Sequence, residues 1–146
     1  MGGSLYMINA YYELFYTYKD TIGDHYFQIG YFSSEKKVLE TIEILKFKPG
    51  FRNFPKGFDY QKLDVATNSD FNRNNNVILY ELSYEKSNDD GTDSFMIFDV
   101  FHSYESALEQ KNKLLQAREF CEFAEGFCIS EKKVDNIEWR EGFKIE

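Results

Sequence analysis

The sequence predicts an α+β protein, and three observations predict it. Aromatic and β-branched residues alternate with polar ones over short runs, as half-buried strands require. Two stretches place apolar residues at helical spacing behind a serine. The order of these signals also recurs along the chain, which is the signature of an internal repeat. The expected architecture is a tandem pseudo-repeat of two β-β-α-β units, 11–65 and 77–143, in a single domain spanning 1–146. Their strands form one antiparallel sheet or two, with two helices packed on them.

Each element has its own signal. MGGS at the start reads as an expression scar, so 1–6 carries no fold expectation. YYELFYTY (11–18) and HYFQIGYF (25–32) read as paired strands, with Asp24-His25 in the turn. Ser34 stands as N-cap, Glu35 complements the helix dipole, and Val38, Leu39, Ile42 and Leu45 form one stripe. KPGFRNFPKGF (48–58) follows, then a strand FDYQKLDV (58–65) and a polar linker, 66–76. The second copy offers VILYELSY (77–84), SFMIFDVF (94–101) and an N-cap at Ser103 with Glu105 behind it. A thinner stripe of Ala107, Leu108, Leu114 and Leu115 is broken by Lys111, and FCISEKKV (127–134) closes the unit.

The repeat rests on alignment. Tyr12–Tyr18 matches Ile78–Tyr84 at an offset of 66, and Ile29–Ser34 matches Phe98–Ser103 at 69, placing three extra residues in Glu85–Asp93. KPGFRNFPKGF then falls on AREFCEFAEGF (117–127) without a gap. Phe51, Phe54, Gly57 and Phe58 coincide with Phe120, Phe123, Gly126 and Phe127, whereas Arg52, Asn53 and Lys56 become Cys121, Glu122 and Glu125. A loop that gripped phosphates or stacked bases in both copies could not tolerate that reversal; a helix-to-strand corner could. Pro49 and Gly50 are expected to stop the helix, Phe51 and Phe54 to plug its end, and Gly57 to supply a permissive backbone.

Charge narrows the function. Residues 1–72 carry 8 Lys/Arg against 9 Asp/Glu, and residues 73–146 carry 9 against 16. An acidic half disfavours nucleic acid and favours a basic protein partner. No apolar run approaches the length of a membrane span, and a cytoplasmic setting is expected. Cys121 and Cys128 read as unpaired thiols, His25 and His102 belong to no metal-spacing cluster, and no cofactor or nucleophile motif is present. The chain is therefore expected to be non-catalytic.

The candidate partner-binding residues are the acids Asp89, Asp90 and Asp93 in the second hairpin, and Glu119, Glu122 and Glu125 after the second helix. Glu138 and Glu141 flank the sole tryptophan, Trp139, and complete the set. Solvated loop charge is the plain alternative for all of them. A metal site at Asp89, Asp90 and Asp93 lacks the later ligands of a calcium loop. The abundance of tyrosine and phenylalanine suits strands, and it also suits a partner surface or a homodimer.

P-G-F followed by P-x-G-F (Pro49 to Phe58) and the closing W-x-E-G-F (Trp139 to Phe143) resembles a group of small bacterial domains of unknown function. Those domains lead a strand pair into a helix through a start much like Gly30–Glu35. In general character the chain is also similar to immunity proteins of bacterial toxin systems, which are short, acidic and α+β. That similarity implies an inhibitor that occludes a basic toxin's active site. The alternatives are a self-associating structural or regulatory domain, and a small-ligand module with a cleft between the repeats.

Overall fold

Strands β1 (Tyr6–Lys19), β2 (Asp24–Phe32) and β3 (Phe58–Asn68) form one three-stranded antiparallel sheet in the order β2-β1-β3. Strands β4 (Ile78–Ser87), β5 (Asp93–Phe101) and β6 (Phe127–Lys133) form a second, in the order β5-β4-β6. Helix α1 (Glu35–Leu45) follows β2 and helix α2 (Tyr104–Leu114) follows β5, so a β-β-α-β order occurs twice. The second copy adds a one-turn helix, α3 (Arg118–Cys121), before β6, so the described residues hold three α-helices, not the two expected. The structure is a computed structural model that describes residues 6–68 and 77–144. The chain is α+β with two sheets. The expected linker was drawn too early, because β3 continues to Asn68; 69–76, like the MGGS start, lies outside the described residues.

The chain divides into two compact units. One, the strapped unit, comprises Ile8–Asp64 and Lys133–Glu146. The other, Met1–Met7 with Val65–Lys132, is termed the acidic unit. Lys133–Glu146, expected at the end of the second repeat, thus belongs with the first.

The two hairpins share a register that the sequence alignment missed. Tyr12 pairs with Phe32 and Tyr80 with Phe101, so Tyr12-Glu13-Leu14 matches Tyr80-Glu81-Leu82. The offset there is 68, not 66, and the second hairpin loop (88–92) is one residue longer than the first (20–23), not three. Each hairpin also carries a bulge at the same place. Leu14 faces Gly30 while Phe15 faces Gln28, leaving Ile29 extra; Leu82 faces Asp99 while Ser83 faces Ile97, leaving Phe98 extra. An extra residue shifts the alternation of side chains by one. This is how Ile29 and Phe32, three apart, share one core, and how Phe98 and Phe101 share the other.

Both helices begin as their sequences dictate. The Ser34 hydroxyl accepts from the Lys37 N–H at 3.2 Å, and the Ser103 hydroxyl from the Ser106 N–H at 3.1 Å. Val38 and Leu45 of α1 are buried with Leu14, Tyr16, Ile29 and Phe51. On α2 the thinner stripe leaves only Ala107 fully buried. α1 ends at Leu45 with Lys46 as its cap, before Pro49 and Gly50 are reached, so those two do not stop it.

Candidate functional site

The corner after each helix is one device made twice. Tyr16 meets Phe51 edge-on at 4.7 Å and Phe58 at 4.9 Å; Tyr84 meets Phe120 at 5.1 Å and Phe127 at 4.7 Å. A Cβ on Gly57 would collide with the Thr17 carbonyl and the Tyr16 ring, and one on Gly126 with the Glu85 carbonyl and the Tyr84 ring. Both glycines therefore serve close approach, not an unusual φ as expected. Phe51 is fully buried, but Phe54 is 42% exposed and lies flat on Tyr18 at 5.4 Å, so only the first of the two is a plug. Phe123, the counterpart of Phe54, packs half-buried on its cluster. A shallow hollow of about 390 Å³ lies beside the Tyr18–Phe54 stack, lined by Thr17, Lys19, Pro55 and Lys56 as well. His25, placed in a turn by its sequence, is in β2, where it stacks on Tyr18 at 4.5 Å and bonds Asp20 at 2.9 Å.

The corner of the strapped unit has a further layer. The segment 134–143 runs along the outer edge of β2 as a strap: the Asp135 N–H donates to the Tyr31 carbonyl and the Glu138 N–H to the Ile29 carbonyl, each at 2.8 Å. The Asp135 carboxylate accepts from the Ser33 N–H and hydroxyl at 2.8 Å and from Lys37 at 2.9 Å. Burial pushes its pKa up, but these three donors outweigh burial and hold it below the usual carboxylate value. Phe143 then enters the core, 4.6 Å from Phe27 and 5.0 Å from Phe51. Two glycines make the room. A Cβ on Gly30 would sit 2.5 Å from the Asn136 carbonyl oxygen, and one on Gly50 within 2.7 Å of the Phe143 ring.

The nine candidate partner-binding residues are distributed over both units. Glu138, Trp139 and Glu141 lie on the strap, where Trp139 meets Phe27 edge-on at 4.6 Å with its own φ at 63°. Glu138 accepts from the Asn136 side chain at 3.1 Å, and Glu141 is exposed. The other six are exposed on the acidic unit. Asp90 closes its own turn by accepting from the Thr92 hydroxyl and N–H, which lower its pKa in that order. Asp93 accepts from the Ser87 hydroxyl at 2.9 Å, and Asp89 stands exposed beside them. Glu119 and Glu125 lie close enough to Tyr84 to add, after burial, to the rise of its phenol pKa. The free thiols, Cys121 and Cys128, are both exposed.

Sequence reasoning missed Asp135 and Glu13. Glu13 is buried in β1 and accepts from Gln28 at 2.8 Å, Tyr26 at 3.2 Å and Gln61 at 2.7 Å. Its counterpart Glu81 is buried as well. The Tyr-Glu-Leu shared by both strands was the available signal. Among the described residues no group of three or more His, Cys, Asp or Glu could hold a metal ion, and no helix is long and apolar enough to cross a membrane. No protein-family model, curated protein or solved structure matches the chain.

Proposed function

We propose that this chain is a non-catalytic binding protein whose acidic unit docks on a basic protein. In its most concrete form it is an immunity-type inhibitor that covers the active site of a basic bacterial toxin in the cytoplasm. One observation carries the reading. The compact unit Met1–Met7 with Val65–Lys132 has 6 Lys/Arg against 13 Asp/Glu, a net of −7, while the strapped unit has 11 against 12, a net of −1. The same unit exposes Phe95 (57%) and Met96 (45%) on β5, supplying apolar anchors beside the charge. Like charge on this scale repels nucleic acid and steers a cationic protein. The same reading takes the two β-β-α-β units as copies of one ancestor, with α1 and α2 each covering its sheet.

The reading predicts that a basic toxin domain is encoded beside this chain's gene, and that domain is the partner for the test. The chain should block that toxin at equimolar ratio. Asp89→Lys with Glu122→Lys and Glu125→Lys should weaken the complex by about a hundredfold. A toxin left fully active would sink the inhibitor reading, and an unchanged Kd would sink its electrostatic basis. A second reading, self-association through the exposed edge of β5, predicts a dimer by light scattering that Phe95→Lys dissociates.

A further inference from the structure

The edge strands β2 and β5 carry equivalent tracks, filled in one unit and open in the other. In the strapped unit the track along β2 is filled by the chain's own strap, bonded to the Tyr31 and Ile29 carbonyls, with Phe27 covered by Trp139 and Phe143. The bulged registers superpose these positions on the acidic unit: Tyr16–Phe27 corresponds to Tyr84–Met96, and Leu14–Gly30 to Leu82–Asp99. Val100 and Phe98 therefore hold the carbonyls equivalent to those of Tyr31 and Ile29. β5 is the edge of its sheet, and among the described residues no other segment bonds along its outer side, where the Val100 N–H is held by the carboxylate of its own neighbour Asp99 at 2.8 Å. Met96, at the place of covered Phe27, is exposed.

What differs is the chemistry at the two notches. Where Gly30 and Gly50 clear room for the Asn136 carbonyl and the Phe143 ring, the acidic unit has Asp99 and Glu119, both exposed. A segment like the strap cannot follow the same path, because a Cβ at either place meets it. Two carboxylates there instead offer partners to cations.

We propose that this track is the seat of an extended basic segment of a partner protein. The segment adds as a strand to β5, lays Lys or Arg side chains on Asp99 and Glu119, and rests apolar ones on Phe95 and Met96. The proposal rests on the reading that the acidic unit binds a basic protein, and it specifies how. A strap from a second copy fits less well. Its residues 133–144 carry three cations and three acids, and its shape needs the missing glycines.

A fluorescent peptide of alternating lysine and valine is the probe, with an alternately N-methylated version that cannot pair as a strand. The unmodified peptide should bind at low salt and shift the carbonyl resonances of Phe98 and Val100. Asp99→Lys with Glu119→Lys should weaken it about tenfold, against less than about threefold for Glu105→Lys with Glu109→Lys, an equal charge change on exposed sites of α2. Equal weakening by both pairs, or full binding of the N-methylated peptide, overturns the seat and leaves the basic-partner reading standing. Failure of both peptides to bind overturns the two together.

Discussion

Tyr16 and Tyr84 hold the same place in their sheets, and both bury a hydroxyl that has no hydrogen-bond partner among the described residues. An unsatisfied buried hydroxyl costs free energy that phenylalanine would not. The rings are kept by their edge-to-face contacts with two phenylalanines each, and those contacts do not need the oxygen. Tyr16→Phe should therefore raise stability in urea by about 1 kcal/mol; a loss of stability would mean the hydroxyl is satisfied. Burial, with Tyr18 adding to it, also raises the Tyr16 phenol from 10.0 to about 12. A folded-state pKa above the unfolded one gives stability that is complete below pH 10 and drains away as pH rises towards 12. The wild type should accordingly lose stability across that alkaline window, and Tyr16→Phe should lose visibly less.

Among the elements, the strap stands out because its order depends on side chains from three others: Ser33 after β2, Lys37 in α1 and Phe51 in the corner. Asp135 takes a left-handed φ of 65°, a conformation asparagine also tolerates, so Asp135→Asn removes the charge and keeps the backbone. Because the folded carboxyl titrates below the unfolded one, its contribution is present above the unfolded value of about 3.9 and is lost as pH falls through the folded value. Asp135→Asn should cost about 1 kcal/mol at neutral pH, since the group is partly screened by solvent. The difference from wild type should vanish in strong acid; a gap that persists there would assign the effect to packing. Phe143→Ala removes a core ring and should cost about 3 kcal/mol. Trp139, the sole tryptophan, meets Phe27 edge-on and reports the strap directly. In Phe143→Ala its emission should shift to the red at urea concentrations where far-ultraviolet dichroism is still native. Coincident transitions would show that the strap and sheet unfold as one.

At the scale of the whole molecule, the α+β class, the strands, both N-caps and the duplicated corner could be read from the chain because each rests on local pattern: alternation, a serine before a stripe, phenylalanines matched without a gap. The bulges could not, since a single extra residue in β2 or β5 looks like ordinary alternation until Leu14 and Leu82 are seen facing Gly30 and Asp99. Nor could the strap, because nothing local in EWREGF says which sheet Phe143 will enter. Gly30 inside a strand was the one hint that another backbone passes close. Moving the strap out of the second repeat leaves the charge reading unchanged, since residues 133–144 carry three cations and three acids and Val65–Lys132 with Met1–Met7 still carries −7 of the total −8. A field of that size acts on encounter more than on the docked complex. If the proposed docking on a basic protein holds, the association rate with that partner should therefore fall at least about tenfold between about 50 and 500 mM salt, while the dissociation rate changes little. If the salt dependence appears mainly in dissociation, the acids are contact residues within the docked interface and the steering role is wrong.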